Sequence, residues 1–382
     1  LMIIFSSYII DFIVVGFSDD LKIIASRLLK IMSFYFLFIS LSGMIGSVLN
    51  TFGYFVIPAS TSIFFNLSII FSAMYLTKYF SIDALAYGVL IGGVLQFLVV
   101  FFPFLKLLKK YSFKVNMKDT YVKLLGIKLI PMLIGVFARQ INTIIDQFFA
   151  SFLVAGSITA LENASRVYLL PVGVFGVTIS NVLFPSISKA AANNDKVDIN
   201  RRLVGAINFL NFLTIPSLLI LVFYSKEIIR LIFSYGKFGE EAVKITSEAL
   251  LFYSLGLIFY VGVQLVSKAY YAVGDNKRPA KFSILSIIMN IALNFILIKN
   301  FKHCGLALAT SISSGLNFFL LLFIYNKLYV KLDLTNIIIS FIKISISALI
   351  ALFISTYFNN IFLKLIIFSI IFLALWIYPM YK

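Results

Sequence analysis

The chain is poor in the residues on which most soluble enzymes rely. Its 382 residues include one cysteine, Cys304, and one histidine, His303. A single cysteine excludes a disulfide framework and any multi-thiolate metal centre. A single histidine excludes multi-histidine metal sites and most histidine-based acid–base chemistry. Charged residues make up only 12% of the chain, about half the usual quarter, which excludes an ordinary soluble domain. Acidic residues are scarcest, 15 against 32 Lys plus Arg, so the net charge is +17. In a soluble protein that imbalance would point to nucleic acid. In this background it marks loops facing an anionic membrane surface, and no nucleic-acid partner is expected.

What is abundant is apolar: 61% of residues are hydrophobic, with mean hydropathy +1.04. A bilayer core of about 30 Å takes about 20 helical residues. Apolar runs predict spans at 31–50, 55–77, 84–105, 127–153, 158–186, 206–224, 247–271, 280–298, 304–325, 335–357 and 361–379, with 1–15 the end of an earlier one. The runs are too long and uniformly apolar for barrel strands. The expected fold is therefore an all-α polytopic bundle with no room for a soluble domain. Basic residues favour one set of alternate loops, holding Lys109, Lys110, Arg201, Arg202, Lys277 and Arg278. By the positive-inside rule that set, with the C-terminus, is cytoplasmic.

The chain also repeats. Shifted by 221 residues, Gly53 meets Gly274, Pro58 meets Pro279, Ser62-Ile63 meets Ser283-Ile284, and Leu85-Ala86 meets Leu306-Ala307. In both copies a glycine with a proline five residues later opens one span, and a Leu-Ala pair opens the next. The register predicts two parallel-related lobes. Residues 1–110 would be the remainder of the N-terminal lobe, 111–120 a cytoplasmic linker, 121–328 a six-helix C-terminal lobe, and 329–382 two additional transmembrane helices. It also predicts about 100 residues before Leu1, two spans and most of a third, for fourteen spans in all.

Two intramembrane charges stand out. Arg166 either pairs with Glu162, one turn away on the same face, or is a cavity cation suited to bidentate phosphate contact. Asp146 either pairs with Arg139, two turns earlier, or joins Asn290, Asn294 and Thr310 in a hard-oxygen cation site. Lys268 is explained by snorkelling or a substrate funnel, and Gln264, one turn earlier, offers a polar contact. Lys343 snorkels, Trp376 is an interfacial anchor, and His303 and Cys304 sit at a span entrance. A membrane transferase is disfavoured, because the loop acids Asp195, Asp198, Glu240 and Glu241 form no metal motif.

Six segments in order carry a resemblance: Leu49-Asn50-Thr51 with Pro58, ALAYGVLIGGVLQ at 84–96, QINTIIDQFFASF at 140–152, ASRVYLLPVGVFG at 164–176, AYYAVGDNKRP at 269–279 and HCGLALAT at 303–310. The chain resembles the MurJ/MviN lipid II flippase family of the multidrug, oligosaccharidyl-lipid and polysaccharide exporter superfamily. The resemblance implies a monomeric transporter, not an enzyme, in the bacterial cytoplasmic membrane. Its partners would be membrane lipids and the undecaprenyl-linked peptidoglycan precursor, which it would move from the inner to the outer leaflet for cell wall synthesis and cell shape. The alternative is a cation-coupled multidrug or other lipid-linked oligosaccharide exporter of that superfamily. The resemblance further implies that Arg166 contacts substrate, and Glu162, Gln264 and Lys268 are read beside it as candidate substrate contacts from their positions in the spans. No cofactor is implied beyond Na+, which some members bind at the positions of Asp146, Asn290, Asn294, Thr310 and the carbonyl of Leu306. Asn294 departs from the pattern, which has a carboxylate there.

Overall fold

The computed structural model describes residues 3–108, 140 and 142–377. The chain divides into two compact units, Leu1–Met132 and Leu133–Lys382. The expected linker 111–120, the start of the second lobe at 121 and Arg139 lie outside the described residues.

The first unit is a string of apolar helices. They are α1 (Ser6–Ile13), α2 (Asp19–Ser33), α3 (Tyr35–Thr51), α4 (Val56–Phe71) and α5 (Asp83–Leu108). A π turn at Ser72–Leu76 and a helical stretch at Thr77–Phe80 extend α4. Its interfaces use small residues, as expected where lipid removes the hydrophobic drive between helices. The Ser68 hydroxyl donates to the carbonyl of Gly88 at 2.8 Å, and a Cβ on Gly88 would lie 2.7 Å from that of Ser72.

Among the described residues of the second unit, the first helix covers 142–150, α6. Then come α7 (Ser157–Pro171), α8 (Thr178–Ala192), α9 (Lys196–Phe223), α10 (Ser225–Phe233), α11 (Glu240–Ser254) and α12 (Leu257–Ala272). A π segment, Val172–Val177, joins α7 to α8 just after Pro171, where a proline disturbs the helical ladder. The continuous helix Lys277–Leu328 breaks at Lys302, with φ 49° and ψ −129°. Its 52 residues would run about 78 Å, so it is two crossings: α13 (277–301) and α14 (303–328).

The 221-residue register holds in the backbone. Asp19–Ser33 corresponds to Glu240–Ser254. Gly53 and Gly274 both turn the chain at positive φ, 82° and 80°. Ser81, at φ 50° and ψ −130°, has the conformation of Lys302. Neither Ser81 nor Lys302 is a glycine, so this strained turn is shared by the two positions that the register pairs and is not a composition effect.

Two span limits are corrected. The span expected at 31–50 is the second part of an apolar stretch that begins at Asp19. The span expected at 247–271 begins at Glu240 and bends by 45° between α11 and α12. Apolar periodicity cannot see such amphipathic entries, because Asp19, Asp20, Glu240 and Glu241 favour helix N-termini while lowering hydropathy.

The two additional helices, α15 (Leu334–Ser355) and α16 (Ile361–Ile377), pack within the second unit. Asp333 caps α15 by accepting from the amide of Asn336 at 3.0 Å. Asn208 on α9 donates to Asn336 at 2.8 Å, and Tyr224 and Ser355 share a hydroxyl bond of 2.7 Å. Ile344, Ala348, Ala351 and Phe368 form the core between them. Trp376 meets Phe212 with ring centroids 5.3 Å apart and the planes tilted by 41°, so it packs against the bundle.

At the opposite end of α12, Asp275 closes the turn before α13. It accepts from the amides of Lys277 and Arg278 at 3.1 Å, from Arg278 Nη1 at 2.7 Å and from the Tyr329 hydroxyl at 2.7 Å. Burial pushes its carboxyl upward, but these donors more than offset that and hold it at about 2.

Candidate functional site: a buried polar cluster on three helices

Inside the second unit three apolar helices bring oxygens together. Asn290 and Asn294 lie one turn apart on α13, and at 1% and 0% exposure they are among the most buried polar side chains. Asp146 comes from α6. Thr310 and the carbonyl of Leu306 come from α14. Asn294 Nδ2 donates to Asp146 Oδ1 at 2.7 Å and to Asn290 Oδ1 at 3.1 Å. Asn290 Nδ2 donates to Thr310 Oγ1 at 3.2 Å, and Thr310 Oγ1 donates to the Leu306 carbonyl at 3.2 Å. One hydrogen-bonded chain thus joins all five positions that the sequence singled out.

A sixth residue belongs to the cluster. Asn142, one turn before Asp146, donates to Asp146 Oδ2 at 3.3 Å. Its signal in the sequence is the i,i+4 amide–carboxylate spacing within QINTIID. With Arg139 outside the described residues, the observed partners of Asp146 are the amides of Asn142 and Asn294.

Buried polar atoms are normally satisfied, yet Asn142 Oδ1 and Asn294 Oδ1 have no partner among the described residues. Both flank Asp146. The donor set of carboxylate, amide, hydroxyl and carbonyl oxygens contains no soft ligand and suits a hard cation. Two orphaned amide oxygens beside a carboxylate therefore fit such an ion. Asp146, Asn290, Asn294, Thr310 and the Leu306 carbonyl would hold it, and it would supply one compensating charge within the membrane.

The expected substrate residues are spread along neighbouring helices. Arg166, on α7, is exposed on this unit. The pairing of Arg166 with Glu162 does not occur: no such ion pair is present among the described residues, and Glu162 accepts from Gln147 Nε2 at 3.3 Å instead. Gln147 reaches Glu162 from the neighbouring α6, so the carboxylate is engaged across helices. Lys268 is half-buried on α12, with its ammonium 5.3 Å from the ring of Phe184, a cation–π contact in place of simple snorkelling. Gln264 is half-buried one turn earlier, and Lys343 is exposed. His303 and Cys304 are not isolated at their span entrance, since the carboxylate of Glu248 approaches His303 Nε2 to 3.7 Å.

Seven helices among the described residues are long and apolar enough to cross a membrane, eight when the bent pair counts as one. Their arrangement defines a polytopic helical membrane protein with a transporter fold. It is similar to an inward-facing multidrug resistance MATE family transporter of the MOP superfamily, at TM-score 0.70 and 11% identity over 85% of this chain and 75% of that one, a likeness of fold alone. The family model "Lipid II flippase MurJ" matches residues 1–376. The chain belongs to the lipid II flippase MurJ family, and so is a multi-pass protein of the bacterial inner membrane. A relative in Buchnera aphidicola subsp. Schizaphis graminum (strain Sg), described as a "Probable lipid II flippase MurJ", is 41% identical over 86% of this chain. The chain spans 64% of that relative's length. A solved structure of a lipid II flippase MurJ, in an inward closed conformation, is 32% identical with TM-score 0.83, covering 100% of this chain and 80% of that one.

Proposed function

We propose that the protein containing this chain is a lipid II flippase, moving the undecaprenyl-linked peptidoglycan precursor from the inner to the outer leaflet for cell wall synthesis. The observation that carries this reading is the family match across residues 1–376, joined by relatives and a solved structure that bear the lipid II flippase description. Drug export is not favoured, because the MATE likeness is one of fold only. The protein acts as a monomeric transporter and makes or breaks no covalent bond.

In this reading Arg166 grips the precursor's pyrophosphate. Its exposure and its freedom from Glu162 support that role, and guanidinium matches phosphate through paired donors. Lys268 and Gln264 extend the polar path, and Glu162 braces α7 through Gln147. An inside-negative potential favours outward movement of an anionic headgroup by about 2.3 kcal/mol per charge per 100 mV, so the arginine need only hold the headgroup. The cluster around Asp146 takes Na+ as a structural or coupling ion, which the two orphaned amide oxygens support. The test is complementation: the complete coding sequence should sustain growth and rod shape in a bacterium depleted of its own lipid II flippase. A protein that inserts in the membrane and leaves the cells to lyse would refute the assignment.

A further inference from the structure

Glu248, His303 and Cys304 bring a carboxylate, an imidazole and a thiol together at the kink that separates α13 from α14. One ligand atom from each lies within 4.8 Å of the others. Cys304 Sγ is 3.4 Å from His303 Nε2, and Glu248 Oε2 is 3.7 Å from the same nitrogen. Zinc bond lengths of about 2.0–2.3 Å imply tetrahedral ligand-to-ligand edges of about 3.3–3.7 Å. The two observed separations have that size without any metal to draw them together.

The residue types narrow the ion. A thiolate disfavours Na+, Mg2+ and Ca2+, and a carboxylate disfavours Cu(I), whereas one S, one N and one O suit Zn2+. The positions suit it too. Cys304 is 7% exposed and His303 12%, so both are held by the fold, while Glu248 at 43% leaves a side open for exchange and for a water ligand. The bridge would join α11, through Glu248, to the residues that follow the strained Lys302 turn. By the charge bias of the loops, this end faces away from the cytoplasm.

We propose that Glu248, His303 and Cys304 form a Zn2+ site with water as fourth ligand, clamping α11 to the α13–α14 turn. Binding must displace the hydrogen bond that His303 Nε2 gives to the Ile245 carbonyl at 3.1 Å. The imidazole proton then sits on Nδ1, and the Cys304 thiol proton is released to water, so affinity rises with pH.

The experiment is a titration of the purified, metal-stripped full-length protein in detergent with Co2+ and then Zn2+. Cys304 is the only cysteine in this chain, and any thiol that the full-length protein carries elsewhere is first changed to serine. A sulfur-to-cobalt charge-transfer absorption then reports this residue alone. We expect one equivalent of Co2+ with that absorption and strong tetrahedral d–d bands, both lost on adding Zn2+. Cys304→Ser should remove the charge-transfer band. His303→Gln and Glu248→Gln should each weaken binding at least tenfold, with thermal unfolding in the absence of metal serving as the folding control. Absence of the charge-transfer band in the folded parent protein would overturn the proposal, as would Zn2+ affinity unchanged in Cys304→Ser and His303→Gln.

Discussion

Replacing Asn294 by aspartate should make the stability of the bundle depend more steeply on sodium than it does in the parent. In the parent protein Asn294 Nδ2 donates to Asp146 Oδ1 at 2.7 Å. Asn294→Asp exchanges that donor for a second carboxylate at about the same place. Two unit charges 2.7 Å apart repel by about 6 kcal/mol at an effective dielectric of about 20. A cation held between them offsets that repulsion, and with Asn294 at 0% exposure bulk water screens it little. Stabilisation by a bound ion grows as RT ln(1 + [Na+]/Kd), about 2.7 kcal/mol at a hundredfold excess over Kd, with about 1.4 kcal/mol for each further tenfold of affinity. The assay is thermal unfolding of purified protein in Na+ and in K+ at equal ionic strength. Asn294→Asp should fall below the parent in K+ and recover most of the deficit in Na+. Asp146→Asn should abolish the sodium response of the parent. An equal deficit of Asn294→Asp in both salts, or an undiminished sodium response in Asp146→Asn, would refute the cation reading and leave a hydrogen-bonded core motif.

Other consequences are open to measurement. Gly305→Ala would place a Cβ 2.6 Å from the backbone carbonyl of Leu297 across the kink, and overpacking against a fixed main chain should cost roughly 1–3 kcal/mol, seen as a lower unfolding temperature. Gly53→Ala and Gly274→Ala should each cost about 1 kcal/mol through strain at positive φ, and unequal costs would argue against equivalent turns. Asp275, held at about 2, contributes stability that is fully present above the usual carboxylate value near 4 and is lost as pH falls toward 2. Asp275→Asn should remove that pH dependence and on the order of 2 kcal/mol at neutral pH, as read by unfolding profiles from pH 2 to 7.

The helical architecture was legible because lipid leaves apolar runs few options. Punctuation carried the repeat: Gly53 and Gly274 need positive φ, which only glycine adopts cheaply, so their spacing survives where the apolar filling drifts. The matching turn at Ser81 and Lys302 was hidden, since neither residue type announces a positive φ. Asp146, Asn290, Asn294 and Thr310 could be read from the cost of burying Asp146 and from the i,i+4 spacing of the two asparagines, whereas the Leu306 carbonyl came from the family resemblance alone. Asn142 was missed because Arg139, an opposite charge at helical spacing, was the more obvious sequence partner for Asp146, and composition cannot rank the two. Glu162 was assigned to Arg166 by helical spacing, but Gln147 reaches it from α6, a contact that local periodicity does not contain. The same limit hid Glu248 from His303 and Cys304, which lie 55 and 56 residues later in the chain.

Lipid II translocation in cells tests the central claim most directly. The readout is the fraction of the precursor that becomes accessible to an enzyme acting on the outer leaflet. The parent protein, expressed from the complete coding sequence, should restore that fraction in flippase-depleted cells. Arg166→Ala should abolish it at equal membrane levels, and Arg166→Lys should restore only part of it, because ammonium lacks the paired donors of guanidinium. Full restoration by Arg166→Ala would contradict the account.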